Sequence, residues 1–366
     1  MKSLNIGITC GDINGVGLEV IIKSVGLRRH NADKFRFILY GSAKTLTHHR
    51  NLVTHESIRF QSVQHPGEAQ PDMINVINCW TDNVQITVGA LTEESGKCAM
   101  LALERAVQDL RDEKIDALVT APIHKAAMKM AAFNSIGHTD YLAQAFKVKD
   151  HLMFMVSDDL RIGIATEHVP LSQVAQLLNK DLVLRKIALM SETLKVDFGI
   201  DRPMIAVLGL NPHAGDGGHI GKEDEQVVAP AIRAAKDKGI LAFGPFPADG
   251  FFGSGQFTKF HGILAMYHDQ GLIPFKSLTF GSGVNYTAGL PVVRTSPDHG
   301  VAYDIAGKGQ ANEASMLRAI YLAAEIAHNR QEYIEMRANS LERRKPKTLI
   351  SETGEDEEVP VILPEE

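Results

Sequence analysis

Apolar residues in this chain follow two rhythms. Six short runs, Leu4–Thr9, Phe35–Tyr40, Ala117–Thr120, Arg161–Ala165, Met204–Leu210 and Ile263–Met266, have the length and the nearly unbroken apolar character of buried strands. Longer segments place apolar residues at helical spacing. Cys98–Arg111 does so through Met100, Leu101, Leu103, Ala106, Val107 and Leu110, Leu18–Val25 starts a similar pattern, and Ala311–Ala327 is a strong late helix. Strands alternating with helices predict a largely parallel sheet covered on both faces. No internal repeat is visible. No Pro- or Gly/Ser-rich linker divides the chain, as expected if it crosses between two lobes more than once.

Length and composition narrow this picture. The 366 residues suit two α/β domains, or one with large insertions. From Ser351 the chain turns acidic (Glu352, Glu355, Asp356, Glu357, Glu358) and carries Pro360 and Pro364, which reads as a solvated extension, with a partner-binding tail as the alternative. A net charge of −6, with no basic block outside Arg343–Lys347, argues against a nucleic-acid partner. No apolar run approaches the roughly 18–20 residues of a membrane span, and the N-terminal one is too short for a signal peptide. Cys10, Cys79 and Cys98 form no Cys-x-x-Cys pair, so neither a disulfide framework nor a thiolate zinc site is expected, and a reducing cytoplasm fits. With 15 histidines, any bound metal would be held by imidazole and carboxylate.

In open α/β sheets ligands bind beyond the carboxyl ends of strands. The five loops in those places are Cys10–Gly17, Ala121–Lys125 with Gly137–Asp140, Thr166–His168, Asn211–His219 and Tyr267–Gly271. His168, His213 and His268 each follow a strand closely. A single histidine is more often a packed or surface residue, but three at equivalent strand ends can converge on a divalent cation. Asp249 and Asp269 are nearby acids that could complete such a shell or move protons. Lys276, Asn285 and Arg294 suit an acidic substrate, and their apolar, glycine-rich surroundings argue against plain surface charge. The pairs Gly15/Gly17, Gly215/Gly217, Gly253/Gly255, Gly281/Gly283 and Gly307/Gly309 all lack the third glycine of a dinucleotide fingerprint, and no P-loop appears, so a standard Rossmann site is disfavoured. Gly215–Gly221 has the composition of an anion-binding backbone nest.

The segments NPHAGDGGHIGKEDE, GHTDYL, AMYHDQGLIPFK and GSGVNYTAGLPVVRTSPDHG closely resemble the 4-hydroxythreonine-4-phosphate dehydrogenase family, and the resemblance runs from about Asn5 to Ala327. It implies an α/β fold of two α/β/α lobes with a cleft between them, like the isocitrate and isopropylmalate dehydrogenases. The lobes would be residues 1–137 with 296–345, and 138–295, followed by an acidic tail, 346–366. It also implies a homodimer with shared active sites and a divalent metal (Zn, Co or Mg) on His168, His213 and His268. His138, Thr139, Lys276, Asn285 and Arg294 match its substrate-binding positions, and Asp249 and Asp269 line the same site. The implied reaction is NAD- or NADP-dependent oxidation of 4-phosphooxy-L-threonine, then decarboxylation, within pyridoxine 5'-phosphate biosynthesis. Asp12-Ile13-Asn14, where many members carry a Glu-Pro-Ala type of sequence, and Ala121 in place of a common glycine depart from the family without removing a ligand. The alternatives are a sister dehydrogenase acting on 4-phosphothreonate, phosphoerythronate or a cis-dihydrodiol acid, a metal-dependent hydrolase, and a catalytically silent binding protein.

Overall fold

The computed structural model describes residues 3–339, except 27–34, 55, 82, 134 and 136. The expected acidic tail at 346–366 and the basic block at 343–347 lie outside the described residues. The strands are β1 (Leu4–Thr9), β2 (Phe35–Gly41), β3 (Phe60–Val63), β4 (Ile74–Asn78), β5 (Ala117–Thr120), β6 (Leu152–Val156), β7 (Arg161–Thr166), β8 (Met204–Leu208), β9 (Leu241–Phe246), β10 (Gly262–Tyr267), β11 (Val284–Ala288) and β12 (Arg294–Pro297). They form one sheet in the order β3-β4-β2-β1-β5-β12-β11-β6-β7-β10-β8-β9. The α/β architecture is the one the alternating pattern predicts, and all six predicted strands are present. Strand β8 stops two residues early because the N–H groups of Leu210 and Asn211 turn to the buried Asp224 carboxylate, at 2.6 and 3.0 Å, rather than to a neighbouring strand.

The sheet is parallel except at its centre, where β12/β11, β11/β6 and β6/β7 pair antiparallel. Three reversals make an odd number, so β7, β10, β8 and β9 run opposite to β1, β2 and β5. The carboxyl ends of the two parallel halves therefore lie at opposite edges of the sheet. A ligand touching both must lie across the central strands, which is where a metabolite-sized cavity is found.

Helices form where caps and apolar faces agree. Helix Glu93–Arg111 begins before its apolar stripe because the Thr92 hydroxyl accepts the Ser95 N–H at 3.1 Å, with Glu93 and Glu94 in the favourable first turn. Ala314–Ala338 outruns the predicted late helix and packs along β12, β11 and β5. Gly17–Ile21 widens into a π-helical turn, Ile22–Gly26. Helix His268–Thr279 lies against β7 and β10 at Gly271, where a Cβ would stand 2.5 Å from the Ile164 side chain and 2.9 Å from the Ile162 side chain, so any larger residue would force these neighbours to move.

Candidate active site

A cavity of about 400 Å³ lies across the sheet centre, lined by residues following β5, β7 and β12 and by the strands between them. Arg294 is its most informative member. It sits on β12 with only 3% of its surface exposed, and all its described partners are neutral hydroxyls. Nε and Nη2 donate to Thr120 Oγ1 at 3.1 and 2.7 Å, and Nη1 donates to Thr287 Oγ1 at 3.1 Å and to Thr139 Oγ1 at 3.5 Å. Among the described residues no carboxylate answers this charge. Burial pulls its pKa down to about 10, so the guanidinium still carries its proton at neutral pH. A buried cation without a counter-ion costs several kcal/mol unless an anion arrives.

His138 opens helix His138–Ala145 beside this cation. Its Nε2 is buried without a hydrogen-bond partner among the described residues, and burial, then the Arg294 charge, hold its pKa well below the ordinary histidine value. It is a neutral imidazole with an open polar atom. Thr139 Oγ1 lies 3.5 Å from Thr287 Oγ1. Asn285 and Ser296, register partners on β11 and β12, complete this side.

The imidazoles of His168, after β7, and His268, at the start of helix His268–Thr279, have centroids 5.5 Å apart. A lattice of side chains fixes the strand ends that carry them. Thr166 Oγ1 donates to the Met266 carbonyl at 2.7 Å, Gln270 Oε1 accepts the Met266 N–H at 2.7 Å, and Gln270 Nε2 donates to the Gly209 carbonyl at 2.6 Å. Burial, then the Lys125 charge, lowers the His168 pKa, which favours its neutral, ligating form. His268 Nδ1 lies 2.7 Å from Asp269 Oδ1. With the proton on Nδ1, that bond turns the Nε2 lone pair outward.

Not every expected residue joins the cavity. His138, Thr139, His168, Asn285 and Arg294 line it; His268 adjoins through His168. Lys276 is exposed and its Nζ lies 3.2 Å from Asp298 Oδ1, so its glycine-rich surroundings do not bury it. Burial raises the Asp298 pKa against the pull of Lys276. His213 is exposed, at the head of a left-handed run, His213–Gly217, within Pro212–Gly218. Asp249 is exposed on helix Ala248–Gly253, which packs against that run. Among the described residues no three His, Cys, Asp or Glu side chains of one chain group closely enough to hold a metal ion.

Glu167, His151, Lys125 and Asp140 also line the cavity without having been singled out as site residues. His151 precedes a strand, β6, so a search of the loops that follow strands passes over it. In the loop after β1 several backbone donors are already engaged within the chain. The N–H groups of Asn14, Gly15 and Val16 are bound to Asp12 Oδ1, the Asp12 carbonyl and the Val301 carbonyl.

Fold and site together define an α/β protein whose central cleft pairs an uncompensated guanidinium with facing imidazoles. The family described as pyridoxal phosphate biosynthetic protein PdxA matches residues 33–323, and the chain belongs to it. A 4-hydroxythreonine-4-phosphate dehydrogenase of Bacteroides thetaiotaomicron is 46% identical over 344 residues, 94% of each chain. A D-threonate 4-phosphate dehydrogenase of Bordetella bronchiseptica is 39% identical, over 88% of this chain and 92% of its own. The crystal structure of 4-hydroxythreonine-4-phosphate dehydrogenase from Klebsiella pneumoniae superposes with a TM-score of 0.79 at 36% identity, covering 89% of this chain and 98% of its own.

Proposed function

We propose that the protein oxidises 4-phosphooxy-L-threonine at C3 with NAD or NADP, giving 2-amino-3-oxo-4-phosphooxybutanoate. That β-keto acid loses carbon dioxide to give 3-amino-2-oxopropyl phosphate for pyridoxine 5'-phosphate biosynthesis. As a member of its family the chain is a nicotinamide-dependent dehydrogenase. The observation that carries the substrate reading is Arg294, a buried cation answered only by hydroxyls in a cavity of metabolite size. An anionic group of the substrate supplies the missing charge through charge-assisted hydrogen bonds. His138 Nε2, Thr139 and Asn285 orient the same ligand, and Lys276, whose partner Asp298 lies between the cavity-lining Pro297 and His299, joins once released from Asp298.

His168 and His268 fit a divalent cation as two imidazole ligands, and imidazole suits zinc and cobalt better than magnesium. When bound, such an ion supplies a Lewis acid for the C3 hydroxyl and for the charge that develops on decarboxylation. One chain brings two of the three expected histidines together, so in our reading His213 comes from a second copy in a homodimer. The packing of the Asp249 helix on the His213 run means that the same copy delivers Asp249, which takes the hydroxyl proton, while Asp269 orients His268. In our reading the lobes are 1–137 with 296–345, and 138–295, which puts the second boundary within β12. Among the described residues no helix is long and apolar enough to cross a membrane. All three cysteines are free thiols, which supports a cytoplasmic setting.

Absorbance of reduced nicotinamide, with 4-phosphooxy-L-threonine and NAD or NADP before and after chelation, tests the reading. Metal-dependent formation of the reduced cofactor is expected. Activity on that substrate that survives complete metal removal would overturn the metal assignment, and no turnover would overturn the substrate.

A further inference from the structure

The cavity holds charge of both signs, and only the cationic side has been given a role. Glu167, directly after β7, lines the same space with 18% of its side chain exposed. One of its oxygens is committed. Oε1 accepts the Met153 N–H at 3.1 Å and lies 3.6 Å from His151 Nε2. Oε2 has no hydrogen-bond or ion-pair partner among the described residues. The carboxylate is thus anchored through one oxygen with the other left open. The buried Lys186 ammonium donates to the His151 carbonyl. The other acid lining the cavity, Asp140, is engaged by Gln144 Nε2 at 3.2 Å.

Strand pairing shows what this anchoring does. Met153, which holds Glu167, is the register partner of Thr287, which holds Arg294. Adjacent strands of the sheet centre therefore anchor a cationic group and an anionic group facing one cavity. A ligand with anionic groups alone would leave the Glu167 charge opposed to its own. A ligand that also carries an ammonium satisfies both sides.

We propose that Glu167 is a specificity-determining residue that binds the ammonium of a phosphorylated amino acid and disfavours the corresponding hydroxy acid. This rests on the substrate reading above and adds to it how the amino compound is chosen. The discrimination follows from burial: a charged pair formed away from water is strong, whereas a hydroxyl in the same place offers the open carboxylate oxygen only a neutral donor.

The test compares 4-phosphooxy-L-threonine with 4-phosphooxy-2,3-dihydroxybutanoate, in which a hydroxyl replaces the ammonium, for the metal-loaded enzyme and its Glu167→Gln variant. Glutamine still accepts the Met153 N–H, so a purely structural role would leave specificity unmoved. The expected result is a fall of about 10- to 100-fold in kcat/KM for the amino substrate, mostly through KM, with less than about threefold change for the hydroxy acid. Metal content should be unchanged. An equal fall on both compounds, an unaltered preference, or lost metal would overturn the proposal. Calorimetry on the unaltered enzyme gives a second reading that does not depend on the variant folding. There the amino compound should bind at least about tenfold more tightly, and equal binding would overturn the idea. If the unaltered enzyme turned over only the hydroxy acid, the substrate reading itself would fail, and that would be visible before any substitution.

Discussion

Arg294 gives two of its donors, Nε and Nη2, to a single acceptor, the Thr120 hydroxyl, at 3.1 and 2.7 Å. One neutral oxygen sharing two bonds cannot balance a full charge, and Thr287 on the other side is no better. The site is built at the expense of the empty protein's stability, since the guanidinium is desolvated before its anion arrives. Replacing Arg294 by Met should therefore leave the urea midpoint unchanged or raise it. The same change should cost at least about 100-fold in kcat/KM, from two lost charge-assisted bonds of about 1.5–3 kcal/mol each. A clear drop in the midpoint would show that the threonine contacts outweigh the desolvation.

A different histidine governs acid stability. His49 is fully buried, with Nε2 2.7 Å from the Ile13 carbonyl and Nδ1 without a partner among the described residues. Burial, against the help of the Ile13 carbonyl, holds its pKa down from 6.5 to about 4. The unfolded chain takes a proton here below pH 6.5 and the folded chain does not. The contribution is therefore complete above 6.5 and is lost as pH falls towards 4, amounting to about 3 kcal/mol. Depressed pKa values at His138 and His168 add in the same direction. In His49→Gln the loss of melting temperature between pH 6.5 and 4 should be visibly smaller, and an unchanged slope would exclude His49 as a main cause.

Much of this architecture was readable in the chain, and the unreadable parts share a cause. Buried strands such as Ile6–Thr9 and Ala117–Thr120 are apolar on both faces, which periodicity detects. The central reversal is not detectable, because whether β11 runs with or against β6 depends on partners far away in sequence. Arg294, His138, Thr139 and Asn285 assemble as expected from their motif, but the hydroxyls of Thr120 and Thr287 that hold the guanidinium carry no signal of their own. His213 and Asp249 lie apart from the cavity of their own chain, and nothing in their motifs signals that separation.

The late helix is fastened by a largely buried triad that takes no part in the cavity. Tyr286 donates to Asp197 Oδ2 at 2.5 Å, Arg330 Nε donates to Asp197 Oδ1 at 2.6 Å, and Arg330 Nη2 donates to the Tyr286 oxygen at 3.0 Å. All three donors and acceptors depend on one another, so removing one strands the rest. Asp197→Ala should lower stability by about 3–5 kcal/mol, since it leaves a buried guanidinium unpaired, and Tyr286→Phe by about 1–3 kcal/mol. Both variants should keep the KM of the parent when assayed well below their melting temperatures. A raised KM would show that the clamp reaches the site through β11.

Sharing of the site between two copies can be tested by mixing inactive variants. In our reading each centre takes His168 and His268 from one chain and His213 from the other, so His213→Ala and His268→Ala should each remove most of the activity alone. A mixed dimer has one centre with both defects and one with neither, because its intact His268 faces the intact His213 of the other chain. If subunits exchange at random, half the dimers are mixed and each carries one good centre of two, so about a quarter of parental activity should return. Bound metal should recover in the same proportion. A centre assembled within one chain gives a different result: every chain in the mixture carries a defect, and no activity returns at any mixing ratio. Recovery of activity after co-refolding, absent when the same variants are mixed without exchange, would establish that the centre needs both chains.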